Sequence, residues 1–128
     1  MDNRQVARTL WDTMNKHEWN DLLNYFSKDA VINWHNTNEK FTIEDFITAN
    51  STYPGNWHIE IERIEQIGDK VITVVCVVIE DEDISFHATS FFTFDEKKII
   101  QLDEYWGVDG EPPEWRIDMR LGRFIKKK

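Results

Sequence analysis

The hydrophobic period of this chain changes once, near Trp57, and that change limits the folds open to it. Before it, apolar residues recur three and four apart. Val6, Ala7, Leu10, Trp11 and Met14 form one helical stripe, with Asp2 or Asn3 placed to cap its start. Trp19, Leu22, Leu23 and Phe26 predict a second short helix that ends at Lys28-Asp29, followed by a strand over 30–34 and a polar turn over 35–38. Thr42 is a good N-cap for a third helix carrying Phe46, Ile47 and Asn50, which Tyr53-Pro54-Gly55 stops. From Trp57 the period is two: Trp57, Ile59 and Ile61 alternate with His58, Glu60 and Glu62. Gly68-Asp69 reads as a hairpin turn, 71–80 as a central strand, 81–83 as an acidic turn, 84–94 as a long strand, 95–97 as a tight turn and 99–106 as the last strand. Helices followed by a meander of long strands predict an α+β fold, with the N-terminal helices packed on one face of a mostly antiparallel sheet. No repeat, low-complexity segment or linker divides the chain, so residues 1–128 are read as one domain.

Charge and composition exclude several functions. A net charge of −9 argues against a nucleic-acid partner, because neutralising phosphates takes a basic surface. The longest apolar run, 71–79, is far short of the ~20 residues of a spanning helix, which argues against a membrane partner. The N-terminus carries no secretory signature, and the single cysteine, Cys76, sits inside the central strand as a small buried hydrophobe, so the expected compartment is the cytoplasm. Aromatic residues make up 13 %, six of them Trp, enough in a chain of this size to fill a heavy core or to line a cavity.

Period-two parity then assigns faces. Over 84–94, Ile84, Phe86, Ala88, Phe92 and Phe94 share the inner face with Ser90, while His87, Thr89 and Thr93 point outward. Over 99–106, Ile100, Leu102 and Trp106 form the inner set and carry Glu104 with them. Thr73, Val75, Val77, Thr89, Phe91 and Tyr105 are assigned to the outer face, which is apolar enough to predict a homodimer through it.

Three stretches carry a resemblance: 22–31, 50–57 with Asn50, Tyr53-Pro54 and Trp57, and 90–94 continuing through Glu104-Tyr105-Trp106 to Pro113-Glu114-Trp115-Arg116. Together they resemble the nuclear-transport-factor-2-like superfamily, the cone-shaped, cystatin-like fold of SnoaL-like polyketide cyclases and ketosteroid isomerases. The resemblance implies a curved sheet, helices at the mouth of a cone, and a homodimer. It does not carry over the known mechanisms. At the position matching the isomerase base the chain has Trp34-His35, and at that of the oxyanion-hole Tyr it has Leu10. The Arg and Asp that epoxide hydrolases of this fold place on the central strand are absent, and only their last-strand acid has a counterpart, Glu104.

Glu104 is therefore the candidate catalytic residue, because a carboxyl on an apolar face titrates high enough for acid–base work near neutrality. It would equally serve structure by accepting hydrogen bonds from Tyr53, Trp57 or Trp115. Trp34, Trp57 and Trp106 are candidate walls for a ligand, though the same side chains would fill a core. Asn50 and Tyr53 stand at the mouth, Ser90 is a hydroxyl on the inner face and a further candidate, and Glu39 lies in the loop before the third helix. His17, His35, His58 and His87 match no metal-ligand spacing, Glu80-Asp81-Glu82-Asp83 reads as a solvated hairpin tip, and no glycine motif for phosphate is present, so neither metal nor cofactor is expected. The expected function is a pocket for a small apolar or aromatic ligand, with SnoaL-like cyclase or isomerase chemistry at one buried acid. The alternative is a non-catalytic ligand-binding or dimerisation module. Residues 115–128 are compatible with a helix or an arm.

Overall fold

A computed structural model describes residues 1–126. Helix α1 (Asn3–Asn15) starts at a reciprocal cap: the Asp2 carboxylate accepts the Gln5 backbone N–H at 2.8 Å, and the Gln5 side chain accepts that of Asp2. Its stripe Val6, Ala7, Leu10, Trp11 and Met14 is buried. Thr42 caps α2 (Ile43–Thr52) by accepting the Asp45 N–H. Six strands follow or flank these helices: β1 (Phe26–Trp34), β2 (Glu39–Phe41), β3 (Trp57–Ile67), β4 (Lys70–Ile79), β5 (Ile84–Asp95) and β6 (Lys98–Val108). They form one curved, open sheet in the order β2-β1-β6-β5-β4-β3, antiparallel except where β1 runs parallel to β6. The helices α1 and α2 pack on its inner face, so the chain is α+β as expected. A short helix α3 (Glu114–Asp118) follows the sheet with its side chains exposed. Part of the undecided segment 115–128 is therefore helical, and 127–128 lie outside the described residues.

Four expectations are corrected. The stretch Trp19–Tyr25 is a 3₁₀ helix, and Lys28 and Asp29 lie within β1 instead of ending a helix. Only Leu22 of that stretch is fully buried, too little apolar surface to hold two α-helical turns, and Leu23 is exposed. Glu39 belongs to strand β2, paired with Trp34, and not to a loop. On β4 the parity is reversed: Thr73, Val75 and Val77 are buried inside, while Ile72, Val74, Cys76 and Val78 are half-buried on the outer face. Cys76 is accordingly not a core residue. On β6, a register shift opposite Thr93 and Phe94 puts Ile99 inside and leaves Ile100 exposed.

The core joins α1, α2 and the inner faces of the strands, with Phe46, Phe92, Leu10 and Leu102 among its fully buried members. Each such side chain is worth about 1.5–3 kcal/mol of transfer free energy. Two positions aim the chain at the mouth of the cone. Gly55 (φ +96°) turns α2 into β3, and a Cβ there would stand 2.9 Å from Ile79 Cγ2, so a larger residue meets both backbone strain and a clash. Asn15, the last residue of α1, receives the Ile59 backbone N–H on Oδ1 (2.7 Å) and donates Nδ2 to the Ile59 carbonyl (2.8 Å). Its amide thereby does the work of a neighbouring strand on the edge strand β3. Replacing Asn15 by Ala is expected to lower the unfolding free energy by about 1–3 kcal/mol, read from the urea midpoint at an unchanged slope. A change below a few tenths would mean that water replaces the clamp without cost.

Candidate functional site

The site is built from strand register. Trp34 on β1 pairs with Glu104 on β6, Glu104 with Ser90 on β5, and Ser90 with Thr73 on β4. Four inward side chains thus form a row of polar groups across an otherwise apolar surface. Trp34 Nε1 donates to Glu104 Oε1 at 3.1 Å, and Ser90 Oγ donates to Oε2 at 2.8 Å. Trp11 reaches down from α1 and donates its indole N–H to Thr73 Oγ1 at 3.1 Å. Both carboxyl oxygens of Glu104 are answered, so the group is buried without a counter-ion. Of the partners considered from the sequence, neither Tyr53 nor Trp57 holds it, and Trp115 is exposed on α3.

Burial pushes the Glu104 carboxyl above the ordinary carboxylate range, and the bonds from Ser90 and Trp34 oppose that rise without cancelling it. Its chain neighbour moves the other way. Asp103 faces outward, where bonds from Asn33, His35 and Gln101 outweigh its partial burial and hold its carboxyl low. Two adjacent acids are split by the pleat alone.

Above Glu104 opens a cavity of about 220 Å³. Trp34, Trp57, Trp106, Asn50, Tyr53 and Glu104 all line it. Ser90, also named from the sequence, is fully buried behind the carboxyl and reaches the cavity only through it. Trp34 meets Trp106 edge-on at 5.4 Å and Phe41 at 4.5 Å, forming one wall. Trp57 forms another, packed against His17 at 5.3 Å and Trp19 at 6.0 Å, with Tyr53 edge-on at 6.5 Å. Asn50 donates Nδ2 to the Phe46 carbonyl, which turns its amide back toward α2. The loop after β1 fixes the far wall: Asn36 accepts the Trp106 N–H at 2.9 Å and donates to its carbonyl at 2.5 Å, while the His35 N–H donates to the Glu104 carbonyl.

Sequence reasoning missed Trp11, Met14, Val75, Val77, Phe86 and Ala88, which also line the cavity. Phe86 and Ala88 were on the inner face by parity and could have been named. Val75 and Val77 were lost with the parity of β4. Glu39 stays outside, accepting from Thr37. At the isomerase positions, Leu10 is buried in the core, and Trp34, where the base would stand, has an indole N–H already committed to Glu104. Neither offers a base or a donor to the cavity. What remains is one acid in an apolar chamber, able to give or take a single proton.

No curated protein is similar enough in sequence to count as a match. Among solved structures, a candidate ketosteroid isomerase from Kribbella flavida superposes with a TM-score of 0.83 at 22 % identity, over 98 % of this chain and 91 % of that one. An NTF-2 like protein of unknown function from Burkholderia xenovorans gives 0.78 at 18 %, over 95 % and 94 %. A candidate SnoaL-like polyketide cyclase from Shewanella putrefaciens gives 0.68 at 17 %, over 85 % and 81 %. At these identities the likeness is one of fold. The family model for the SnoaL-like domain matches residues 7–102, from the first helix through the last-strand Leu102. The chain belongs to the SnoaL-like family, and it shares its fold with the NTF-2 like structure.

Proposed function

We propose that the cavity binds a compact apolar or aromatic molecule and that Glu104 acts on it as the single general acid or base. The observation that carries this reading is Glu104 itself: a buried carboxyl, hydrogen-bonded on both oxygens, at the floor of a chamber walled by tryptophans. Desolvation keeps it protonated above the ordinary carboxylate range, so it can donate to a ligand carbonyl or ether oxygen and take the proton back from carbon. That is the minimum needed for a SnoaL-like cyclisation or isomerisation by proton transfer. The volume, about 220 Å³, is below the ~300–1,000 Å³ typical of drug-sized ligands, which favours one or two rings over a large polycycle. The indole edges and faces supply apolar contact without competing for the proton. No helix of the described residues is long and apolar enough to cross a membrane. A cytoplasmic protein that needs neither metal nor cofactor for this step is the reading we adopt.

The test uses small aromatic ketones and phenols as probes, with tryptophan quenching for binding and product analysis for turnover. Ala88→Leu fills the chamber and is expected to weaken binding at least tenfold. Glu104→Gln keeps the volume and hydrogen bonding, and is expected to bind within a few-fold of the parent while losing turnover of any converted probe by 10²-fold or more. Turnover unchanged in Glu104→Gln would remove the acid from the mechanism. Binding in the parent with no turnover of any probe would favour the alternative, a carrier or sensor.

We also propose a homodimer through the outer sheet face, where Phe91 meets Tyr105 edge-on at 6.0 Å and Ile72 and Val74 are half-buried. Sedimentation at micromolar concentration is expected to give a dimer, and Phe91→Glu a monomer. A parent that sediments as a monomer throughout contradicts it.

A further inference from the structure

On the outer face, away from the cavity, the sheet gathers side chains that no stretch of sequence joins. Cys76 on β4 and His87 on β5 are direct cross-strand partners. Glu62 is the residue left over where the β3–β4 register shifts between Ile61 and Arg63. One ligating atom from each, a sulfur, a ring nitrogen and a carboxylate oxygen, lie within 4.8 Å of one another. His87 Nε2 is 3.2 Å from Glu62 Oε2. Nitrogen and oxygen ligands of a tetrahedral zinc ion, each at about 2.0–2.1 Å from the metal, stand about 3.3 Å apart, so this edge of a site is already spaced.

A second, independent feature lies behind the imidazole. His87 Nδ1 meets Asp109 Oδ1 at 2.5 Å, and Asp109 is itself held by Ser85 through Oγ at 2.6 Å and through its own N–H to the Ser85 carbonyl at 3.0 Å. A carboxylate on the far nitrogen is the usual support of a metal-bound histidine: it keeps the proton on Nδ1 and directs the Nε2 lone pair at the metal. Here Nε2 points to Glu62. Lys126 Nζ also approaches that Glu62 oxygen, at 3.9 Å, and a bound ion would displace it. His87 and Glu62 are partly exposed, which leaves a path of entry.

We propose that Cys76, His87 and Glu62 bind one zinc ion, with Asp109 as the positioning residue for His87 and the fourth tetrahedral position open. The mixed donor set selects the metal. Calcium and magnesium take oxygen ligands, whereas thiolate with imidazole and carboxylate suits zinc. Thiolate and carboxylate balance the two charges of the ion. On binding, the Cys76 thiol proton and any proton on His87 Nε2 pass to solvent. Without metal, His87 serves as a bridge between Glu62 and Asp109, and the ion takes the place of the Nε2 proton. Linear ligand spacing does not reveal such a site, because its members come from three strands and their support, Asp109, follows a fourth.

The experiment titrates chelator-treated protein with Co²⁺ and then Zn²⁺. A thiolate-to-cobalt charge-transfer band in the near ultraviolet is expected, saturating at one equivalent per chain and abolished by Zn²⁺. Cys76→Ser is expected to lose that band. Asp109→Asn is expected to keep it at saturation with metal affinity reduced about 10–100-fold. Lys40→Gln, on β2 at the opposite edge of the sheet, is expected to leave it unchanged. No band in the parent protein overturns the proposal, as does Zn²⁺ binding of equal strength in Cys76→Ser and His87→Gln variants whose circular dichroism matches the parent.

Discussion

A carboxyl group can be taken out of water only if the fold answers its oxygens, and the inner face of this sheet is arranged around that requirement. Glu104 lies on β6, between the parallel strand β1 and the antiparallel strand β5, so its two neighbours in register supply the two donors it needs. The β1–β6 pairing places Trp34, the β5–β6 hairpin places Ser90, and the Asn36 amide holds β6 at Trp106, beyond the end of β1. The same register brings Trp106 and Ala88 to the cavity and leaves Asp103 and Tyr105 outside. One burial thus couples the topology of the sheet to the chemistry of the chamber.

Much of this was legible in the sequence, and the reasons are local. The stripe of α1 and the alternation of Phe86, Ala88, Ser90, Phe92 and Phe94 have one plainly apolar face, so burial and periodicity agree. β4 has no such contrast. Valine and isoleucine occupy both of its faces, and Thr73, which looks like a surface residue, is buried as the acceptor for Trp11. A hydroxyl inside is indistinguishable from one outside until the distant helix that satisfies it is in view. On β6, two consecutive isoleucines hide a register shift, and parity chose the wrong one. Glu104 and Trp106 were still placed inside because they lie beyond the irregularity.

The candidate site divides along the same line. Residues carried by regular elements, such as Trp34, Trp57, Glu104 and Trp106, could be named one by one, whereas the bond from Trp34 to Glu104 depended on pairing between strands 70 positions apart in the chain. The outer cluster is the extreme case. Glu62 reaches Cys76 and His87 because β3 carries one extra residue, and a bulge leaves no mark on composition. The two faces of the sheet also differ in kind. The inner one isolates a single acid from every other charge, and the outer one concentrates Glu62, His87 and Asp109 within hydrogen-bonding distance.

The protonation state of Glu104 decides whether the chamber holds an acid or an anion, and the carboxyl carbon of Glu104 followed by NMR across pH measures it directly. The folded-state pKa is expected above the ordinary carboxylate range, so the group should remain protonated after exposed carboxyls have ionised. Because the shift is upward, the stability that Glu104 contributes should be greatest in acid and fall as pH rises toward that pKa. A neutral aromatic molecule in the cavity should move the titration higher still by displacing water. Titration within or below the ordinary carboxylate range would contradict the account, since the bonds from Ser90 and Trp34 would then be holding an anion.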